Sequence, residues 1–415
     1  MRKKILVIGG GASGMVAAIM AARQGADVTI IEQQSELGKK ILATGNGRCN
    51  FTNLSIDVDD YYCEETEMLS GILETYTPDV IIDFFESIGV LARERNGYIY
   101  PTTDQASNIR DALVAELELL QVKIYLEMPV SKIICATNKN PLFQVDVETQ
   151  IKKFSGEGLI LATGGKSGLH KSIEYHGFSL IQDTKHTLTI LSPALVALIG
   201  KGKFYKKLAG IRTDVCVTAL VNQQPIRSEI GEIQLTDYGI SGIPVFQISR
   251  ILTQELSKQA QGKEHNFSVE IDFMPDYSMQ ELMEYFLYRK DQFMERRMKQ
   301  FLLGVLKDKL ASFLLYTARI DENAFIKNIS TLELEKLCRI CKTFSVQIEG
   351  MKEFSQSQVT AGGVPMSEVT EYLESDFHKG LYFTGEILDV DGICGGYNLH
   401  FAWASAMLVG TQIVK

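Results

Sequence analysis

Residues 3–10, KKILVIGG, set two lysines before an unbroken apolar run that ends on glycines, a pattern that predicts a strand buried on both faces. The alanine-rich ASGMVAAIMAARQGA that follows predicts a helix ending at Gly25, and DVTIIEQ predicts the next strand. Strand, helix and strand within about 30 residues make a βαβ unit. From Pro78 to Leu120 two helical patterns flank a GYIYPT turn. VKIYLEMPVSKIICA and PLFQVDVET then read as short strands with a turn at Asn138 to Pro141, and GLILATGG (158–165) is a further strand ending in glycines.

Beyond SPALVAL the texture changes. Residues 191–272 carry short alternating runs, RTDVCVTALV and FSVEIDF, which predict a small antiparallel or barrel-like β unit. Residues 273–343 are rich in Lys, Glu and Leu at helical spacing, with Gly304 as the interior breaker, and predict a helical cap. The α/β texture returns at FSVQIEG and persists to Lys415. The expected fold class is therefore α/β. A Rossmann-type dinucleotide-binding domain (1–190 and 344–415) is interrupted by a barrel-like β unit (191–272) and a helical cap (273–343).

Composition narrows the function classes. With 45% hydrophobic and 22% charged residues among 415, the chain is a folded protein of more than one packed unit. A net charge of −9 argues against a general nucleic-acid or anionic-membrane binder. The local exception, GKGKFYKK, holds Lys201, Lys203, Lys206 and Lys207 as either a solvated loop or a handle for an anionic substrate tail. Seven irregularly spaced cysteines suit a reducing compartment, and CRIC (Cys338, Cys341) lacks the second CxxC of a zinc site, so no metal is expected. The first 22 residues imitate a signal peptide, but their glycine spacing and the strand downstream fit a nucleotide fold better. No apolar run approaches the ~18 residues of a membrane span. A cytoplasmic location without membrane insertion is expected.

Gly9, Gly11 and Gly14 form G-x-G-x-x-G between the first strand and helix. This spacing gives a tight turn, lets a pyrophosphate approach the backbone, and allows the helix to close on the strand, while the helix N-terminus offers free N–H groups and partial positive charge. Glu32, 18 positions beyond Gly14, is placed to accept hydrogen bonds from a ribose. An acidic residue there permits NAD or FAD. Three further glycine turns, ILATGNGRCNFTN (41–53), LATGGKSG (161–168) and GEILDVDGICGGYNLHFAWA (385–404), favour the longer FAD.

These stretches, with YGISGIP and SQVTAGGV, carry a resemblance to the BaiN/YhiN-like flavoproteins, a group that includes bile-acid Δ4,6-reductases and aminoacetone oxidases. The resemblance spans the chain and implies FAD under an inserted β unit and helices. By position it implies Ala12 and Ser13 at the pyrophosphate, Glu32 at the adenosine ribose and the Val130 backbone at the adenine. Gly45, Asn46, Gly47 and Arg48 would line the flavin N5/O4 edge. Gly385 and Glu386 would lie near the ribityl and pyrophosphate, and Gly396, Tyr397, Asn398 and Leu399 at flavin N1/O2. Lys40, Cys49, Thr163, Gly164 and Asp391 complete the implied cofactor set. A helix N-terminus at N1/O2 would stabilise the negative charge of reduced flavin.

The sequence departs from the family pattern twice. KSGLHKSIEYHGFSL replaces a Pro- and Gly-rich segment after ATGG and brings Lys166, His170 and His176 toward the substrate space, as functional or merely solvated groups. His400 stands where a Gln is common, and either donates a proton or packs in the core. His400, Tyr397 and Arg48 are the catalytic candidates. The resemblance implies an NAD(P)H-linked reductase of a C=C bond conjugated to a ketone, on a bulky apolar steroid or bile-acid substrate with an anionic or CoA-linked tail. An oxygen-using amine or aminoketone oxidase is the alternative, and a flavin-bound sensor without turnover the third reading. The oligomeric state is not legible.

Overall fold

The computed structural model describes residues 2–137, 139–147, 153–168, 177–259 and 266–415, with backbone only for 147, 253, 254 and 256–259. His170 and His176, and part of the turn expected at Asn138 to Pro141, lie outside these residues. The described chain forms two compact units, residues 1–192 with 359–415, and residues 193–358.

The first unit is built on a five-stranded parallel sheet. Its order is Leu381–Phe383, Gly158–Leu161, β1 (Lys4–Ile8), β2 (Asp27–Ile31), Lys123–Tyr125. The apolar run Ile5 to Ile8 is at most 4% exposed, as expected of a strand covered on both faces. Helix α1 (Ala12–Arg23) closes on the turn after β1 because Gly14 has no side chain. A Cβ there would stand 1.9 Å from the Gly9 carbonyl oxygen. The C-terminal helix Tyr397–Gln412 is apolar on every side and almost wholly buried. Gly385 adjoins both Ser13 and Ala402, while Gly410 adjoins Ala17 and Met20, so the two helices run in the same sense. Both therefore open at the end of the sheet where Ile8, Leu161 and Phe383 finish, the carboxyl edge at which open α/β sheets bind ligands.

The GYIYPT stretch is not a bare turn. It contains the strand Tyr98–Pro101, which pairs with Ala92–Arg95 on one side and Thr52–Asn53 on the other. Strands Val130–Ile134, Phe143–Val147 and Lys153–Gly156 make a separate antiparallel sheet.

The second unit contains a closed six-stranded barrel in the order Leu198–Gly200, Gly239–Ser241, Gln224–Leu235, Arg212–Val221, Phe267–Asp272, Phe344–Met351. Helices Met279–Gln292 and Thr331–Lys342 each start from a capping box, Ser278 with Glu281 and Ser330 with Glu333. One boundary differs from expectation. Phe344–Met351, read as reopening the dinucleotide-binding part, instead pairs antiparallel with Phe267–Asp272 and closes the barrel. Cys338 and Cys341 are buried unpaired thiols on the helix before it.

Candidate functional site

Two helix N-termini and three glycine turns meet within the first unit. Gly11 is the N-cap of α1 and supplies no side-chain cap, so the first-turn N–H groups have no side-chain partner there. A Cβ on Gly11 would meet nothing within 4 Å, so the space in front of the helix is open. Ser13 is only 5% exposed and its hydroxyl donates to the Thr384 carbonyl at 3.3 Å, so it offers the helix mouth only its backbone.

Glu32 follows β2 directly. Its Oε2 accepts from the Gly10 N–H at 2.6 Å and its Oε1 from the Gln34 N–H at 2.7 Å. Burial raises the Glu32 carboxyl above its ordinary value, with these amide bonds opposing. The segment leading to Val130 is tied alongside, since the Met128 N–H donates to the Glu32 carbonyl and the Glu127 N–H to that of Gln34.

At the third glycine turn, Gly165 lies against Glu386, whose Oε1 also accepts from the Thr360 N–H at 2.8 Å. The other oxygen of Glu386 meets Lys40 Nζ at 2.5 Å, so residues 346 positions apart are joined here. Among the described residues, the buried Thr163 Oγ1 beside this turn has no hydrogen-bond partner. Lys166 is half-buried just beyond it.

The other end is built around Thr52. Gly396, in the left-handed region at φ 98°, is the N-cap of the C-terminal helix, and a Cβ there would stand 2.7 Å from the Thr52 carbonyl oxygen. Gly45, Asn46, Gly47 and Arg48 form an exposed turn that continues into Asn50, whose buried Oδ1 has no partner among the described residues. Asn398 has spent its side chain: its Oδ1 and Nδ2 close the 392–398 turn on the Gly392 N–H and carbonyl, both at 2.8 Å. The Gly396 N-cap gives the first turn of this helix no side-chain cap.

Two of the three catalytic candidates have their side chains buried and hydrogen-bonded within the fold. His400 is 0% exposed, with Nδ1 2.8 Å from Thr52 Oγ1, and burial pushes its pKa down to about 4. Tyr397 is 6% exposed and its hydroxyl donates to the Ser55 carbonyl; burial, reinforced by Asp60, pushes it up to about 12. Both side chains are packed into the core of the first unit. Cys49 is fully buried with its thiol pushed up to about 12, and Asp391 is 2% exposed beneath the turn, so neither side chain is available for contact. Arg48 remains exposed. Lys201, Lys203, Lys206 and Lys207 are exposed on the second unit.

The HI0933-like protein Rossmann domain family matches residues 3–412. The chain belongs to that family. It is 41% identical to the 3-dehydro-bile acid Δ(4,6)-reductase of Clostridium scindens over 98% of both chains. It is also 28% identical to the ribosomal RNA dihydrouridine synthase of Haemophilus influenzae, over 99% of this chain and 98% of that one. Among solved structures, the 3-ketosteroid Δ1-dehydrogenase of Sterolibacterium denitrificans superposes with a TM-score of 0.52 at 11% identity over 99% of each chain, a likeness of fold. The family confirms the Rossmann-type reading of the first unit. Among the described residues no cluster of His, Cys, Asp or Glu is arranged for a metal ion, and no helix is long and apolar enough to cross a membrane.

Proposed function

We propose that this protein is an FAD-dependent reductase of C=C bonds conjugated to a carbonyl, with a 3-oxo-Δ4 or Δ4,6 steroid of bile-acid type as substrate and NAD(P)H as electron donor. The observation that carries this reading is the full-length 41% identity to a bile-acid Δ(4,6)-reductase. A fit to FAD is supported by the open helix mouth at Gly11, the buried carboxylate of Glu32 and the orphaned Thr163 Oγ1 and Asn50 Oδ1.

In this reading the N–H groups of residues 11–13 and the dipole of α1 hold the pyrophosphate. Glu32 accepts from the ribose, and the backbone at Val130 borders the adenine. Gly385 and Glu386, with Lys40 fixing the carboxylate, border the ribityl chain, while the turns 45–48 and 396–399 flank the ring. When bound, FAD supplies the two-electron redox chemistry. Backbone N–H groups at the start of the C-terminal helix then favour negative charge beside them, each such donor being worth roughly 3 kcal/mol where charge develops. The overall reaction balances as NAD(P)H, one proton and the C=C bond giving NAD(P)⁺ and a saturated bond.

A second reading is favoured by the dihydrouridine synthases that match over the whole chain. Dihydrouridine differs from uridine by two hydrogens across a C=C bond conjugated to a carbonyl, so the bond class is the same. The net charge of −9 weighs against a polyanionic substrate. No observation favours the aminoketone oxidase or the sensor.

Anaerobic stopped-flow separates these readings. NAD(P)H is expected to bleach the flavin, and a 3-oxo-Δ4 steroid to restore its colour faster than air does. Bleaching by aminoacetone, with peroxide released once air is admitted, would overturn the reductase, and recolouring by ribosomal RNA but not by steroid would transfer it to the uracil ring.

A further inference from the structure

The strand Tyr98–Pro101 alternates. Ile99 is 2% exposed in the core, so Tyr98 and Tyr100 share the opposite face, and both are half-buried. Register sets Arg95 opposite Tyr98 and Arg93 opposite Tyr100, which puts two guanidiniums on the same face. Arg95 lies 5.7 Å from the Tyr100 ring centroid, and Asp104 pairs with Arg95 at 2.5 Å and Arg93 at 3.9 Å.

This face touches both glycine turns at the proposed redox end. The Tyr98 ring lies against Gly395, where a Cβ would come within 2.8 Å of it, and the Tyr100 ring lies 3.9 Å from the Cβ position of Gly45. The neighbouring tyrosines are already committed: Tyr397 donates to the Ser55 carbonyl and Tyr61 to that of Tyr397. Among the described residues, the hydroxyls of Tyr98 and Tyr100 have no hydrogen-bond partner, and Arg48 has no salt bridge. Burial and the neighbouring Tyr98 raise Tyr100 above its ordinary value, against the opposing pull of Arg48 and Arg95. Tyr100 therefore stays a neutral donor at physiological pH.

We propose that the hydroxyls of Tyr98 and Tyr100 bind the carbonyl oxygen of the substrate's conjugated C=C–C=O system, with Arg48 supplying positive potential beside them. The assignment rests on the reductase reading. As the β-carbon gains a hydrogen and an electron pair, negative charge moves onto the carbonyl oxygen, and fixed donors aimed at it stabilise that charge. A 3-oxo steroid and a uracil ring both present such an oxygen.

The test uses holoenzyme reduced with dithionite under anaerobic conditions and mixed with 4-androstene-3,17-dione or, separately, with ferricyanide. Tyr98→Phe and Tyr100→Phe are each expected to slow reoxidation by the steroid by about 100-fold. Ferricyanide, which needs no carbonyl donor, should reoxidise every form equally. Steroid rates within about threefold of the unaltered enzyme in both variants and in the double variant overturn the clamp. Equal slowing with ferricyanide, or loss of flavin, also overturns it by assigning a structural role. If the unaltered enzyme is reoxidised by a ribosomal RNA transcript and not by the steroid, slowing of the RNA reaction in the variants supports the clamp. Reoxidation by neither acceptor overturns the reductase reading and the clamp with it, and is seen without any variant.

Discussion

His400 is a titratable group with no surface, and its consequence lies in stability. Its ring is buried in the first turn of the C-terminal helix beside Thr52, and burial outweighs the opposing Tyr76 carbonyl to bring its pKa to about 4. In the unfolded chain it titrates near 6.5. Between those values the unfolded state binds a proton that the folded state refuses, so stability is complete above about pH 6.5 and falls as pH drops toward 4, by roughly 3 kcal/mol. His186 and His378 are shifted in the same direction and steepen the same limb. His400→Gln keeps a polar group toward Thr52 and removes the titration. Urea midpoints compared at about pH 7.5 and pH 5 should show a smaller acid loss in the variant, with FAD retained. An unchanged difference between the two pH values would sink this account. The position of His400 after a glycine turn was legible in the sequence, but its direction was not. HFAWASAMLVG is apolar all round and offers no polar face from which to orient the helix.

At the scale of elements, the two helix N-termini differ in what their glycines do. Gly11 has ordinary extended geometry and open space in front of it, whereas Gly396 sits at φ 98° with the Thr52 backbone 2.7 Å from any Cβ. A side chain at 396 therefore damages the turn itself. Gly11→Ala costs the apo-protein about 1 kcal/mol or less, the ordinary difference between Gly and Ala at an N-cap. It is expected to melt close to the unaltered protein yet lose FAD, because its methyl enters the pyrophosphate space. Gly396→Val should lose FAD and lower the apo-protein melting temperature together. A yellow, fully loaded Gly11→Ala protein would remove α1 from the cofactor site. The first βαβ unit was readable because its glycines and apolar runs are local. The strand around Ile99 was hidden inside GYIYPT, where a four-residue strand ending in proline reads as a turn until Thr52–Asn53 and Ala92–Arg95 supply pairing partners. Its two tyrosines were missed for the same reason.

For the whole molecule, the insertion was legible as a change of texture, but its far boundary was not. Phe344–Met351 alternates in the same way whether it joins a parallel sheet or closes a barrel, and only its partner strand decides. Each unit has its own core: one buried cluster draws only on residues 5–181 and 364–413, the other only on 198–348. All of the proposed FAD contacts lie in the first unit. The chain also leaves and re-enters that unit at one place. The Thr189 N–H donates to the Gly363 carbonyl at 3.0 Å, and Gly362 lies against the Ile190 carbonyl. A short linker can therefore span the gap, since closing a loop costs less the shorter it is and doubling its length adds only about 0.6 kcal/mol. A chain in which a Gly/Ser linker replaces residues 193–358 is expected to unfold cooperatively and to bind FAD stoichiometrically, read by flavin absorbance after desalting. Two controls sharpen the result. The same shortened chain carrying Gly11→Ala should fold and stay colourless, which assigns the bound flavin to the helix mouth. If instead the shortened chain folds by circular dichroism but holds no FAD, residues between 193 and 358 contribute to the cofactor site, and the assignment of that site to the first unit alone is wrong.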